Sequence, residues 1–474
     1  MPYSAIYHEP GRDVPVADAC DVLVCGGGPA GVSAALAAAR CGAETRLIEV
    51  HGCLGGIWTA GLLSYVLDCG NKTGFITELQ RRLQAATGQP LNKDLSYDRL
   101  PWVVGSFYYD AEVMKLVLEQ LCLEAGVSVQ LHTRVVAAAR ETSNRLDLAI
   151  TESKSGRQSW RAKVFVDATG DGDLAALAGC RFDFGRAGSS QTQPMTLMAT
   201  LTGIDPEEAR EFITGLPGEQ GQAQFRLLEA MRRAGITPSY GRPILVHVRD
   251  ALFALMANHE YGASALDAAQ ITNATLRARA ELHRIVGALR SAGGVWRGLQ
   301  LVATGTHIGV REGRRIRGRY CVTRDDLVAG ASQPDAVCRV TFPVDVHATD
   351  NRRSSGYSAE GIRSKPYDIP LRALIADDVD GLIIAGRCIS GDFWAHASYR
   401  VTGNAIAMGE AAGVLAAIAA AENRSPAAVP YGVVAARLND LRCETEFGQP
   451  SEADTRGVPV IAAAPANAQV GNQH

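Results

Sequence analysis

The chain lacks an excess of charge of either sign, any metal-binding spacing of cysteine or histidine, and an apolar start. Its 47 Lys and Arg against 50 Asp and Glu leave a formal net charge of −3 over 474 residues. No basic field therefore marks a nucleic-acid or anionic-membrane partner. The one arginine cluster, Arg311, Arg314, Arg315, Arg317 and Arg319, is too short to alter that balance. The ten histidines show no HxxxH or HExxH, so no metal is expected. The 11 cysteines, spread from Cys20 to Cys443, contain neither CxxC nor an iron–sulfur spacing, which points to free thiols in a reducing compartment. Residues 1–20 carry Glu9, Arg12, Asp13 and Asp18 where a signal peptide would be apolar, and a cytoplasmic location is expected. The apolar run 405–421 is interrupted by Glu410 and reads as a buried helix, not a membrane span. No internal repeat is present.

What the chain does have is glycine, 49 in all. The most informative lie at Gly26-Gly-Gly-Pro-Ala-Gly31, between a short buried strand (22–25) and an Ala-rich helix (29–40). Gly26-x-Gly28-x-x-Gly31 has the dinucleotide spacing: Gly26 permits the turn, Gly28 lets backbone approach a pyrophosphate, and Gly31 lets helix and strand pack closely. Pro29 and Ala30 open the helix, whose N-terminus offers N–H groups to phosphate. A second strand, 45–50, follows and carries Glu49, about 20 residues beyond the glycines, where the fingerprint places a ribose-binding carboxylate. Gly55-Gly56 then turns back toward the phosphates, where a nicotinamide dehydrogenase would normally continue with its second helix.

The length allows two or three domains or one large interleaved architecture. Residues 1–17 read as a polar lead-in and 18–185 as the first part of a dinucleotide-binding domain. Within it, 60–109 is an excursion, with a helix over 74–87 and an irregular aromatic stretch at 97–109. The pattern predicts a helix over 110–125 capped by Asp110, an alternating strand over 127–136 that carries Val135, a hairpin of 146–152 with 158–163, and a strand 164–170 ending at Ala168-Thr-Gly-Asp171. From 186 to 300 the pattern changes to polar strands and long helices, one at 263–291. This is the expected substrate or cap region, with a further contribution from 339–372. Residues 301–425 return to the first domain, with a last buried strand at 381–386 and a helix opening at Gly403-Asn404. The signal weakens from 426, and 450–474 reads as a flexible tail.

Together, Gly26–Gly31, Glu49, Gly55-Gly56, Ala168–Asp171 and the terminal Ala385-Gly386-Arg387 with Gly403, Asn404 and Gly413 resemble the glutathione-reductase-type flavoprotein superfamily. Within it the chain resembles the FAD-dependent oxidoreductase family, through Gly309-Val-Arg-Glu-Gly-Arg-Arg-Ile-Arg-Gly-Arg-Tyr320 and Ile369-Pro-Leu-Arg-Ala-Leu-Ile375. The resemblance spans about 18–185 and 300–422. It implies an α/β fold: a Rossmann-like FAD-binding domain, with a parallel sheet and β crossover, interleaved with an α+β substrate or cap domain. It also implies FAD as cofactor, with Gly26, Gly28, Pro29, Ala30, Gly31, Glu49, Gly55, Gly56, Val135, Ala168, Gly170, Asp171, Gly386, Arg387, Gly403, Asn404 and Ala405 as its contacts. The helix at Gly403 would point its dipole at the flavin edge that becomes negative on reduction.

Departures from relatives narrow the chemistry. Gly55-Gly56 is followed by Ile57, Trp58 and Thr59 instead of a redox cysteine pair, and no second GxGxxG occurs in 186–300. Flavin hydroxylases share an Asp-Gly like Asp171-Gly172, but their usual Gly-Asp is Gly386-Arg387 here. The reading is an FAD-dependent oxidoreductase that moves a hydride between a small organic substrate and flavin N5, with oxygen, a quinone or another carrier as the open electron acceptor. A flavin monooxygenase, or a protein using FAD structurally or for isomerisation, are the alternatives. The segment 395–404 resembles fumarate-reductase-like flavoproteins, which makes Arg400 the candidate substrate-polarising group and His396 a lesser one. An ion pair of Arg400 with Asp392 is the structural alternative. His307, His347 and Asp345 are further candidates, as is one of Arg311 and Arg314. Covalent attachment of FAD at His51 or Cys53 is not expected, because the spacing to Gly55 is too short. Oligomeric state is not legible.

Overall fold

A computed structural model describes residues 7–94, 105–217, 221–350 and 356–447. The opening strand, Val16–Cys25, is its centre: Val22 to Cys25 are fully buried, as expected of a parallel strand covered on both faces. It pairs in parallel with Thr45–Ile48 on one side and Gly156–Asp167 on the other. Ser128–Gln130 extends the sheet beyond Thr45–Ile48, and Leu382–Ile384 pairs in parallel with the end of Gly156–Asp167. Arg134–Arg140 and Leu146–Ser153 add antiparallel strands at the far edge, completing seven. This is a mixed α/β chain with a mainly parallel, Rossmann-like sheet.

Helices Pro29–Arg40 and Thr402–Ala421 lie against each other, and small residues make that possible. A Cβ on Gly409 or Gly413 would overlap the carbonyls of Ala30 and Ala34. Thr402–Ala421 is long and apolar enough to cross a membrane, yet it lies buried in this core. Its one charge, Glu410, accepts from Phe75 N (2.8 Å) and pairs with Arg442 (3.2 Å). The helix Ala111–Glu124 starts at Asp110, whose side chain accepts from Glu112 N.

A second hydrophobic cluster, including Phe212, Phe253, Leu282 and Trp296, belongs to the intervening sequence. It packs a four-stranded antiparallel sheet, in the order Ile244–Arg249, Leu252–Met256, Ala199–Thr202 and Gln300–Thr304, against helix Ala268–Ala292. That helix starts later than the sequence pattern suggests because Asp267 caps it, accepting from Ala269 N and Gln270 N.

Several expectations are corrected. The strand over 127–136 is two, broken at His132, which has φ 55°: the chain leaves the parallel partner and crosses to the antiparallel edge. The strands expected at 158–163 and 164–170 are one, Gly156–Asp167, which changes neighbour halfway along. The first strand begins at Val16, inside the supposed polar lead-in. The alternation of arginines along 311–319 suggests a strand, and only Arg314–Ile316 forms one. Helices Phe393–Tyr399 and Tyr431–Phe447 were not foreseen; the second is held by Arg442 on Glu410 and Arg437 on the Arg40 carbonyl. Most of the aromatic stretch 97–109 and the tail 450–474 lie outside the described residues.

Candidate active site

The glycine turn distinguishes its three positions physically. Gly26 has φ 101°, and a Cβ there would strike the Ala168 carbonyl. A Cβ on Gly31 would overlap the Gly26 carbonyl, so this glycine sets the strand-to-helix packing. Gly28 is different: its φ of −72° suits any residue, and a Cβ meets nothing within 4 Å. Neither backbone nor packing requires glycine at 28, so the demand comes from outside the chain. Gly55 N donates to Gly27 O (2.7 Å), and a Cβ on Gly56 would lie 3.0 Å from the Gly28 Cα. Glu49, buried, accepts from Gly27 N (2.6 Å) and His51 N (2.8 Å), which fixes both its oxygens beside the turn.

The strand end at Ala168 closes the other side. Ala168 N donates to Cys25 O (2.8 Å), a Cβ on Gly170 would lie 2.9 Å from an Arg387 nitrogen, and Arg387 pairs with Asp171 at 2.7 Å. Gly386 abuts Ala30: a Cβ there would lie 2.9 Å from the Ala30 Cβ. Burial pushes Asp167 up to about 6 even though Ala175 N and Thr169 donate to it. Val135 lies half-buried on the strand that leaves this region, two residues after Thr133, whose N–H donates to Glu49 O. His307 stacks edge-on against His51 (5.0 Å), and burial, with His51 next, pushes it down to about 4.

The start of helix Thr402–Ala421 is the second focus. Gly403 N donates to Leu67 O (2.9 Å), and a Cβ at Gly403 would overlap that carbonyl. Around it, Thr402 Oγ1, Asn404 Nδ2, both ring nitrogens of His396, Arg400 Nε and Gln193 Nε2 are buried without a hydrogen-bond partner among the described residues. Buried polar atoms are normally paired, so this concentration marks a surface shaped for a polar ligand. Ala405 is buried in the same turn.

Arg400, one residue before the helix cap, opens a buried polar chain. Its terminal nitrogen lies 3.1 Å from Asp345 O and 3.3 Å from Asp345 Oδ2. His347 Nε2 lies 3.2 Å from the same Oδ2, His347 Nδ1 3.0 Å from His259 Nε2, and His259 Nδ1 3.1 Å from the Tyr261 hydroxyl. Burial works to raise the Asp345 carboxyl, but His347, Arg400 and Arg311 outweigh it and hold it down to about 2. Burial, then Arg311, push His347 down to about 4, and burial drives His259 well below its ordinary value. Asp345 is therefore ionised and both rings neutral. The carboxylate can only accept, so His347 carries its proton on Nε2, His259 donates from Nε2, and the Tyr261 hydroxyl, which also lies 3.3 Å from Ser239 O, gives its one proton to the closer His259 Nδ1.

The Arg400–Asp392 ion pair that stood as the structural alternative is not formed. Asp392 instead caps the helix Phe393–Tyr399, accepting from Ala395 N (2.8 Å), and takes Arg324 N (2.6 Å). Arg314 pairs with Asp173 (2.8 Å), away from this chain, while Arg311 lies buried beside it. Burial first, then the Arg400 charge, push Arg311 down to about 10. His259 and Tyr261 carried no signal in the sequence, being a lone histidine and tyrosine in a region without motif.

A family model described as FAD dependent oxidoreductase matches residues 21–438. The chain belongs to this family. It is an enzyme, a flavoprotein oxidoreductase, and FAD is its cofactor. None of the curated proteins matches it. Among solved structures it is similar to a geranylgeranyl bacteriochlorophyll reductase-like protein from Thermoplasma acidophilum (13% identity, 90% of this chain and 84% of that one, TM-score 0.43). It is also similar to p-nitrophenol 4-monooxygenase from Pseudomonas putida DLL-E4 (12%, 92% and 88%, 0.44) and a myxobacterial chondrochloren halogenase (14%, 91% and 80%, 0.46). The residues of this FAD-dependent oxidoreductase fit the cofactor: an open approach at Gly28 at one end, and unpaired donors at Thr402, Asn404 and His396 at the other.

Proposed function

We propose that the enzyme is a dehydrogenase or oxidase of a small organic substrate, built on the two-motif FAD fold of the glutathione-reductase type. In this reading residues 26–31, Glu49, Gly55, Gly56, Val135, 168–171, Gly386, Arg387 and 403–405 hold FAD, and residues 186–300 with 339–372 cover the substrate. When bound, FAD supplies the two-electron chemistry, exchanging a hydride at N5 with a substrate carbon and passing electrons to oxygen, a quinone or another carrier.

The side chains orient the substrate and move its proton. Arg400 donates to a substrate oxygen and steadies the charge that develops there. In the resting chain every proton points toward Asp345. Tyr261 can pass its proton to His259 Nδ1 and regain one from water, His259 passes its Nε2 proton to His347 Nδ1, and His347 passes its Nε2 proton to Asp345. Both rings stay neutral throughout, and Asp345 delivers the proton to a reduced substrate. The reverse shifts carry away the proton of an alcohol or amine as it is oxidised once both rings hold their protons on Nδ1, the state that the forward shifts leave behind.

The observation that carries this reading is that Arg400 and His347 share one carboxylate, Asp345, at 3.3 and 3.2 Å, directly before helix Thr402–Ala421. The test is an anaerobic mixture of the yellow protein with candidate alcohols, amines and hydroxy acids. Substrate alone should bleach the flavin. Bleaching that requires reduced nicotinamide, followed by an oxygenated product on admitting air, would replace this reading with a monooxygenase.

A further inference from the structure

One surface cavity, sharing no residue with the cofactor contacts or the Arg400 chain, is lined by basic side chains and no acid. It measures about 460 Å³ and lies between the last half of helix Ala268–Ala292 and the chain that follows, lined by His283, Arg290 and Arg297 with residues 298–301. Among the described residues none of the three basic side chains forms an ion pair or a hydrogen bond. The nearby charges are engaged: Arg277 pairs with Glu260 at 2.7 Å, Arg279 donates to Thr304 Oγ1 at 3.0 Å, and buried Glu281 accepts from Ser239 N at 2.6 Å. Across the contact of Gly298 with Gly203, Asp205 accepts from Glu207 N and Glu208 N. Arg284, exposed and also unpaired, adds to the same positive field.

Arg290 alone would be ordinary, because a cation in the last turn complements the helix dipole. His283, two turns and about 10 Å earlier along the axis, and Arg297, beyond the helix end, have no such reason. Arg297 is moreover held on a fixed loop: Trp296 packs on Phe212 with ring centroids 4.8 Å apart, and a Cβ on Gly298 would lie 2.2 Å from Gly203 O. Between His283 and Arg290, on the same helix face by spacing, stands Gly287. Its φ is not positive and a Cβ there meets nothing within 4 Å, so neither backbone nor packing asks for glycine in the middle of a helix that glycine weakens. As at Gly28, the demand comes from outside the chain. We propose that this cavity binds a phosphoryl dianion, free or carried on a small molecule. Two guanidiniums and an imidazole supply more donors and charge than one carboxylate uses, whereas a phosphoryl group has three terminal oxygens and nearly two negative charges at neutral pH. The cavity is larger than the ion, and half-buried Leu301 gives the remainder an apolar wall. An added protein strand fits less well. Gln300–Thr304 ends its sheet, but Val302 is skipped in the pairing with Ala199–Thr202, and such a bulge turns an edge away from further partners.

The test uses the FAD-loaded enzyme, whose dinucleotide site is filled, in calorimetric titrations with inorganic phosphate, ADP and acetate, and sodium chloride at matched ionic strength as control. Phosphate and ADP should each bind saturably at one site, and acetate about tenfold more weakly or less. Equal binding of phosphate and ADP would support the site with the free ion as its ligand, and tighter ADP would support it with a phosphorylated small molecule filling the remaining space. Arg290→Gln and Arg297→Gln, both exposed positions, should each weaken phosphate by about tenfold or more at parental FAD content. Gly287→Leu leaves every charge in place and puts a better helix former in the helix, so it should melt no lower than the parent while ADP binding falls several-fold. The site is overturned if phosphate gives no more heat than chloride, if acetate binds as tightly as phosphate, or if both arginine variants bind phosphate as the parent does. Parental ADP affinity in Gly287→Leu would remove the helix face from the site and overturn it as drawn.

Discussion

His347 Nδ1 stands 3.0 Å from His259 Nε2, joining residues 88 positions apart across the boundary between the two hydrophobic clusters. Neither ring is charged, so the contact works only if one donates and the other accepts, and ionised Asp345 settles which. Removing the outer end of the chain should therefore slow proton movement and leave the flavin seat untouched. In Tyr261→Phe, flavin reduction by substrate should slow by about tenfold or more and show an enlarged solvent isotope effect, with FAD content at the parental level. Stopped-flow bleaching in light and heavy water is the measurement, and parental rates in both would remove Tyr261 from the path.

Gly28 and Gly31 should fail differently. Gly28→Val has room in the protein, so the variant should melt near the parental apoprotein temperature yet purify colourless. Gly31→Ala drives a methyl into the Gly26 carbonyl and should cost about 1–3 kcal/mol of stability before any cofactor is considered. Denaturant melts of both apoproteins, beside their flavin absorbance, separate the two cases.

Arg400→Lys keeps a positive charge near Asp345 and loses the planar fork. A large loss of turnover at unchanged FAD content is expected. If the lysine enzyme bleaches with substrate at the parental rate, Arg400 only holds the loop.

Stability should fall on mild acidification. His307 and His347 are held near 4 in the fold against an ordinary 6.5, so between those values the unfolded chain binds more protons and folding weakens as pH drops. Asp167, raised from 3.8 to about 6, acts oppositely in the overlapping window. Melting temperature measured from pH 7 to pH 4 should decline, and His307→Gln should flatten the decline. An unchanged slope in that variant would place the sensitivity elsewhere.

FAD should leave with the supernatant on acid precipitation. Yellow colour retained in the pellet would show attachment, with His51 and Cys53 the first residues to substitute.

The glycine turn, Glu49, the strand at Ala168 and the helix Thr402–Ala421 were legible because each depends on a local rule: a φ above zero, a close approach, a helix start. The place of Arg400, just before the helix start at Gly403-Asn404, was legible. Its partner was not, since Asp392 is nearer in sequence and only the fold brings Asp345, 55 residues away, to the guanidinium. His259 and Tyr261 sit just beyond the strand Leu252–Met256, whose pairing depends on Ala199–Thr202. No local pattern encodes that contact. The break at His132 was hidden for the same reason: alternation continues through it while the partner strand changes.

The backbone contact of Gly409 with Ala30 and of Gly413 with Ala34 separates two kinds of evolutionary freedom. It joins helix Pro29–Arg40 to helix Thr402–Ala421 directly, so the spacing of the glycine turn and the second helix owes nothing to the intervening segment that carries His259. Loops and helices between 186 and 300 can lengthen, shorten or be exchanged for those of a relative without resetting that spacing. Substrate choice should therefore be open to engineering by grafting, provided the graft itself supplies the contacts that Pro194 and Thr196 make with Arg311 and His259 makes with His347.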